Sequence, residues 1–199
     1  MSADRFERAV AAIDAVNARD PNRLTVRGSI RPKELAHAEL ATEWVRKLAP
    51  QAGEELLLAA RAHHIERWTR PRQDYPDGRT GYLRWRKNLQ NLHAARVGEI
   101  LAEHGYGEEA VSRVQDLVRK RDLKQDPEVQ VLEDALCLIF LETQLHEIVE
   151  RLSDDEKVID VLVKSLRKMS PSGRRAALEL DYLPADRALL DQAVARTGT

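Results

Sequence analysis

Four histidines and one aspartate fall where helical periodicity indicates burial. His37 lies on one predicted helix, His63 and His64 are adjacent on the next, His93 lies on a third, and Asp134 lies within the most apolar helix. Burying an imidazole or a carboxylate is costly unless a partner compensates it. A divalent ion (Mn, Fe, Ni, Co or Zn) would satisfy all five groups, and helical bundles commonly build such sites from facing helices. The pattern therefore predicts a transition-metal site formed by these side chains.

The adjacent histidines also allow a simpler interpretation. Neighbouring residues on a helix point about 100 degrees apart, so His63 and His64 can bracket an ion but cannot both aim straight at it. One of them could instead donate to a backbone carbonyl or a carboxylate while the other packs or faces solvent. Both interpretations stay open at the level of sequence.

A basic and aromatic segment follows the histidine pair. Between Arg61 and Arg96 the chain has nine basic and three acidic residues, whereas the whole chain has a net charge of -1. Arginine forks bind phosphates with two hydrogen bonds, and aromatic faces stack on bases. The predicted binding surface for a nucleotide or a small phosphorylated metabolite consists of Arg67, Arg70, Arg72, Tyr75, Arg79, Tyr82 and Arg86. The alternative is a solvated face whose arginines pair with surface acids and whose aromatic rings fill the core.

The elements that must position these groups are predicted to be helical throughout. Apolar residues recur at three- and four-residue steps, and no stretch alternates as a half-buried strand would. We therefore expect an all-α helical bundle forming a single domain over residues 1–199. The predicted helices include 53–68, 82–104 and 108–120, with a loop through Gly28 and Ser29 and a long irregular segment at 69–81.

Composition narrows the class of protein. The chain is 43% hydrophobic and 33% charged, which fits a globular protein and argues against a general nucleic-acid coat. No apolar run reaches the roughly 18 residues needed to span a bilayer, and "MSADRFERAV" lacks the apolar core of a secretion signal, so we expect a cytoplasmic protein without a membrane partner. The single Cys137 excludes an internal disulfide and a zinc ribbon, and we expect it to be a small buried hydrophobe.

The order of the five candidate ligands resembles that of the HD-domain metal-dependent phosphohydrolases. Their pattern is a His, a His-Asp doublet on a later helix, often further histidines, and a distal Asp, which here lies in "LEDALCL". The doublet helix resembles "LLLAARAHHIERW", but His64 stands where that superfamily has Asp. An imidazole in place of a bridging carboxylate argues against a two-metal centre and remains a competent ligand for one ion. The resemblance implies an HD-like core at about 30–150 with C-terminal helices at 153–196 packed on it.

Over nearly its full length the chain is also similar to an uncharacterised domain family of bacterial and fungal proteins, some labelled glutamyl-tRNA synthetase. The stretches "PKELAHAEL", "AARAHHIERW", "PDGRTGYLRWR" and "RVQDLVRKRDLKQDPEVQVLEDALCLIFLE" carry this similarity. The chain has no Gly-rich adenylate-binding loop on a strand, and its helical pattern contradicts the synthetase label.

The HD resemblance implies a metal-dependent phosphohydrolase acting on a nucleotide or small phosphorylated metabolite. In that reading Glu66 is the general base, and Lys120 with the arginines after the histidine pair steadies the phosphate charge. Two alternatives remain: a degenerate HD-like fold that binds a nucleotide or RNA without catalysis, and an HD-type iron oxygenase.

Overall fold

The computed structural model describes residues 2–198, and most of them are helical. Within this range the helices are α1 Ser2–Asn17, α2 Lys33–Leu48, α3 Glu54–Ala62, α4 Gly78–Glu103, α5 Glu108–Arg119, α6 Pro127–Leu152, α7 Asp155–Leu166, α8 Pro171–Leu178 and α9 Pro184–Thr197. Two strands, β1 Arg23–Val26 and β2 Ser29–Pro32, lie between α1 and α2. The predominance of helix agrees with the prediction; the HD-like topology stays a prediction.

The two strands correct the expectation of a fold without β-structure. They form an antiparallel hairpin in which Arg23 lies opposite Pro32 and Val26 opposite Ser29. The predicted loop is a tight turn whose residues Arg27 and Gly28 both have positive φ, 49° and 78°. Two-residue hairpin turns of this kind favour Asn-Gly or Asp-Gly, and Arg-Gly gives no such signal in the sequence.

The chain divides into two units between Leu132 and Glu133, within α6. In the first unit α3 packs against α2 and α5, α4 packs against α5, and α1 contacts α2, α3 and α4. Its fully buried large side chains include Ile13, Leu56, Leu58, Ile65, Leu101, Leu117 and Leu132. These contacts bring the α2, α3 and α4 segments that carry the histidines around one core.

The second unit has α7 packed against α9, and its core includes Leu138, Leu145, Ile159, Leu162 and Leu166. Two of its helices begin at capping residues. Ser170 caps α8 with Pro171 as first helical residue, as the sequence "SPSG" indicates. Asp154 caps α7 by accepting from the Lys157 backbone N–H; Ser153, which has the capping-box spacing to Glu156 in "SDDE", instead donates its hydroxyl to the Glu150 carbonyl.

The third helix is shorter than the predicted 53–68. It ends at Ala62, and Glu66 takes a left-handed conformation with φ of 57°. The histidine pair therefore lies directly after α3 rather than along it. The following segment contains two short 3-10 turns, Arg67–Thr69 and Arg72–Asp74, before α4 begins four residues ahead of the predicted start.

The apolar helix α6 carries Cys137, whose exposed fraction of 7% confirms its predicted burial. None of the helices within residues 2–198 combines the length and the hydropathy that a membrane crossing requires.

Candidate metal centre

Four imidazoles and one carboxylate lie together where α2, the end of α3 and α4 meet. We call them the His-Glu cluster; it comprises Glu34, His37, His63, His64 and His93. The ring of His64 is central, with its centroid 4.2 Å from that of His63, 5.8 Å from His93 and 6.3 Å from His37. The structure thus brings together the four histidines that the sequence indicated.

Glu34 and His37 project from one face of the first turns of α2 because they are three residues apart on a helix. Glu34 Oε2 lies 3.4 Å from His37 Nδ1 and 3.3 Å from His64 Nδ1. One ligand atom from each of the three residues lies within 4.8 Å of the other two, which makes them a group that could hold a metal ion. Two atoms bound to one ion in tetrahedral geometry are about 3.4 Å apart, close to these distances.

Several polar atoms of the cluster are buried without a hydrogen-bond partner among the described residues. They are Glu34 Oε2, His37 Nε2, His64 Nδ1 and His93 Nε2. Buried polar groups are nearly always hydrogen-bonded, and each exception calls for an explanation such as an ion. Four exceptions on neighbouring side chains fit a shared cation, since carboxylate oxygen and imidazole nitrogen are both good ligands for transition metals.

Backbone carbonyls fix the orientation of two rings. His93 Nδ1 donates to the Ile65 carbonyl at 2.6 Å, and His63 Nδ1 donates to the Ala60 carbonyl at 2.8 Å. A carbonyl can only accept, so each Nδ1 carries the proton and each Nε2 keeps its lone pair. Metal-binding histidines are commonly held in this way. For His63 the contact is also the one foreseen by the simpler interpretation of the pair.

Burial lowers the pKa of three histidines of the cluster. Burial lowers the pKa of His93 to about 4, and it lowers the pKa of both His63 and His64 well below the usual value. Burial alone would raise the pKa of Glu34, but His37 and the positive charge of Arg67 outweigh it, so the pKa of this carboxyl is lowered. At neutral pH His63, His64 and His93 are therefore neutral and Glu34 is ionised, which are the protonation states that bind metals.

Asp134, the fifth predicted ligand, lies in the second unit and has its own local partner. Its carboxylate is 2% exposed and accepts hydrogen bonds from the backbone N–H and the hydroxyl of Ser170. Ser170, the N-cap of α8, thus satisfies the buried carboxylate of Asp134, and the burial by itself does not require a metal ion. A role for Asp134 in metal binding stays a prediction, and the ligand group in the structure has Glu34 as its carboxylate.

The two predicted catalytic residues occupy different surroundings. Glu66 Oε1 lies 3.3 Å from Arg96 Nε in an ion pair. Lys120 caps the end of α5 with φ of 56°, and after burial, Arg67, His93 and His37 it is a further cause of the lowered pKa of His64. Lys120 therefore adds positive charge near the cluster.

Arg67 connects the basic segment to the His-Glu cluster. Its Nη1 lies 3.1 Å from His64 Nε2, and its guanidinium lies 4.9 Å from the ring centre of Trp85. The Trp85 indole N–H in turn donates to the Arg70 carbonyl at 2.8 Å. These contacts hold the residues after the histidine pair against α4.

The other predicted substrate-binding residues lie further along this segment. Arg72 donates to the Tyr75 carbonyl at 2.8 Å, the guanidinium of Arg86 lies 5.9 Å from the ring centre of Tyr82, and Arg79 is exposed. A small open pocket of about 270 Å³ lies beside α4 and is lined by Arg70, Asn88, Asn91 and Leu92. The arginines and aromatic rings thus form a surface along the start of α4.

Two residues of the site were missed by the sequence reasoning. The sequence does contain a signal for Glu34, because Glu-x-x-His on a helix is a known metal-binding spacing. Asp20 is 1% exposed, and its Oδ2 accepts from the Glu34 backbone N–H at 3.0 Å while its Oδ1 accepts from the backbone and side chain of Asn22. Asp20 and Glu34 lie on opposite sides of the hairpin in sequence, so no local residue spacing indicates their contact.

Comparison with known proteins gives a family but no activity. Residues 7–190 match a family described as a domain of unknown function, DUF4202. No curated protein and no solved structure matches the chain. The match spans nearly the whole sequence, and the chain belongs to the DUF4202 family.

Proposed function

We propose that this protein is a metal-dependent hydrolase that cleaves phosphate from a nucleotide or a small phosphorylated metabolite. The proposal is carried by one observation: Glu34, His37 and His64 each offer a ligand atom within 4.8 Å of the other two, and Arg67 contacts this group at His64. We assign these three side chains as ligands of a divalent transition metal. Mn, Fe, Ni, Co and Zn all accept this set of nitrogen and oxygen donors.

The donor set suits catalysis better than a purely structural ion. Catalytic zinc sites use three protein ligands, His and Glu among them, and leave a position for water or substrate. A bound ion of this kind supplies Lewis acidity and a nucleophilic water at neutral pH. The side chain of His64 is 31% exposed, so the cluster has an open side through which a small substrate could enter.

The protein's own contribution to phosphate chemistry comes from its cations. Arg67 contacts His64, and the charge of Lys120 acts on the same ring. Fixed positive charge at a partly buried site stabilises the negative charge that builds up during phosphoryl transfer. Arg70, Arg72 and Arg86 extend this charge outward, where they would bind the rest of an anionic substrate.

The same donor set favours a second candidate. Two histidines and one carboxylate with open positions are the ligands of many non-haem iron oxygenases. Glu34, His37 and His64 provide this combination. Iron in the purified protein, a coloured solution and substrate-dependent oxygen uptake would favour this candidate over the hydrolase.

The first experiment measures metal content. Protein purified without an affinity tag is analysed for transition metals, together with Glu34→Gln, His64→Ala and the control His104→Ala. His104 is a suitable control because its ring Nδ1 donates to the Ile100 carbonyl in the last turn of α4 and it does not belong to the His-Glu cluster. We expect about one ion per chain in wild type and control and little in the other two variants. Equal metal content in all four proteins would contradict the ligand assignment.

The second experiment measures phosphate release from nucleoside mono-, di- and triphosphates and from sugar phosphates, with and without added Mn²⁺ or Zn²⁺. We expect metal-dependent release that Glu34→Gln abolishes and His104→Ala retains. A metal-loaded protein that releases no phosphate but binds nucleotide or RNA would replace the hydrolase by the non-catalytic alternative.

A further inference from the structure

We propose that Arg67 holds His64 in a metal-free state through its contact with Nε2, and that metal binding releases Arg67, whose guanidinium then binds phosphate. The inference rests on the proposed metal site and adds to it an order of binding, metal before phosphate. It starts from the contact between Arg67 Nη1 and His64 Nε2.

The contact fixes which nitrogen of His64 carries the proton. Arginine has only donors and stays protonated in proteins, so Nε2 of His64 must accept with its lone pair. In a neutral ring the proton then sits on Nδ1, the nitrogen that lies 3.3 Å from Glu34 Oε2. In this arrangement neither nitrogen of His64 can bind a metal.

Metal binding through either nitrogen requires the contact to break. An ion on Nε2 takes the lone pair that Arg67 uses. An ion on Nδ1 requires the proton to move to Nε2, which then faces the guanidinium as a second donor. Both routes expel Arg67 from His64, so the conclusion does not depend on which nitrogen is the ligand.

Electrostatics supports the exchange of one cation for another. Burial opposes the ionised form of Glu34, whereas His37 and the positive charge of Arg67 favour it, so the pKa of this carboxyl is lowered. A divalent ion among the same ligands supplies more positive charge at shorter range and repels the guanidinium. An ion bound by Glu34 and His64 would therefore repel Arg67, and Arg67 in its turn opposes metal binding.

Trp85 can hold the guanidinium of Arg67 after it leaves His64. Arg67 already lies over the face of Trp85, which borders the surface formed by Tyr82 and Arg86. A guanidinium freed from His64 but retained by this ring remains beside the cluster, where it can bind a phosphate in a bidentate manner. Phosphate should therefore bind well only after the metal has bound.

The test measures equilibrium binding, so it does not depend on turnover. Mn²⁺ or Zn²⁺ is titrated calorimetrically into metal-free wild type, Arg67→Gln, Arg67→Lys and the control Arg84→Ala, which changes an exposed arginine of α4. Inorganic phosphate is then titrated into each protein with and without saturating metal. Circular dichroism verifies that each variant is folded, and Arg67→Lys provides a second test should Arg67→Gln fold poorly.

We expect Arg67→Gln to bind metal about tenfold more tightly than wild type, because the competing cation is gone. We expect Arg67→Lys to lie between the two and Arg84→Ala to equal wild type. In wild type, metal should tighten phosphate binding by about tenfold, and Arg67→Gln should lose most of that gain.

Other outcomes overturn the inference in separable ways. Unchanged or weaker metal binding by both Arg67 variants would show that Arg67 only supports the ligands, while the metal site itself would stand. Equal phosphate affinity in wild type and Arg67→Gln at saturating metal would refute the phosphate role. Absence of metal binding in every protein would refute the proposed function, and this inference with it.

Discussion

Replacing Asp20 tests whether the metal site depends on a contact outside the ligand set. Asp20 is almost fully buried, and its carboxylate accepts from the Glu34 backbone N–H and from two N–H groups of Asn22. In Asp20→Ala the buried Glu34 N–H loses its acceptor, which costs about 1–3 kcal/mol. Loss of the negative charge at the start of α2 adds roughly 1 kcal/mol. We therefore expect the free energy of unfolding to fall by about 2–4 kcal/mol.

We expect Asp20→Ala to weaken metal affinity by more, in free energy, than it lowers the stability of the fold. Glu34 and His37 lie on the first turns of α2, so a change at the start of this helix displaces two ligands together. Urea unfolding gives the stability, and metal titration at a temperature where the variant is fully folded gives the affinity. Asp20→Asn keeps one acceptor and should lose about half as much stability. The exposed Asp181→Ala serves as the control.

Two results would refute this reasoning. A stability loss below about 0.5 kcal/mol in Asp20→Ala would mean that the Glu34 N–H finds another acceptor. Lower stability with unchanged metal affinity in the folded variant would mean that the ligands are not positioned through Asp20.

Three further predictions concern the backbone and the metal. In Gly173→Ala the new Cβ would lie 2.6 Å from Asp134 Cγ, so we expect a loss of about 1–3 kcal/mol by urea unfolding; wild-type stability would show that the start of α8 can move. In Gly81→Ala the Cβ would lie 1.8 Å from the Pro76 carbonyl oxygen, so we expect similar destabilisation and faster proteolysis of the segment before α4, and an unchanged cleavage rate would contradict this close approach. Metal at about 100 times its dissociation constant should raise the Tm of wild type by about 5–10 °C; an equal rise in Glu34→Gln would place the ion elsewhere.

The helical elements could be predicted because their apolar spacing and end signals are local. Gly105 ends α4 with φ of 79°, and Ser170 with Pro171 begins α8, as their sequences indicate. The hairpin could not be predicted, because strands of four residues are too short to show alternation and Arg27 is not a residue that favours positive φ. The end of α3 at Ala62 was equally hidden, since no Gly or Pro precedes Pro71 in "RAHHIERWTRP". Contacts such as that of His93 with the Ile65 carbonyl hold the chain there instead.

The sequence predicts which types of residue form the candidate site, but not which carboxylate joins the histidines. The histidines could be picked out because imidazoles on apolar helical faces need partners. The same rule predicts a partner for the buried Asp134 without specifying which, and in the structure that partner is Ser170 rather than a cation. Glu34 was overlooked because a glutamate at the start of a helix is ordinarily explained by the helix dipole. Only the folded chain shows that its Oε2 turns inward to the imidazoles.

The cost of the cluster is the strongest argument that it binds something. Each buried polar atom left without a hydrogen bond costs about 1–3 kcal/mol, and the cluster contains four such atoms. The free energy of unfolding of a domain of this size is only about 5–15 kcal/mol, so the cost of these atoms is large in comparison. Aliphatic side chains at the same positions would not carry that cost. A divalent cation bound by Glu34, His37 and His64 would offset part of this cost, because carboxylate oxygen and imidazole nitrogen are both good ligands for transition metals.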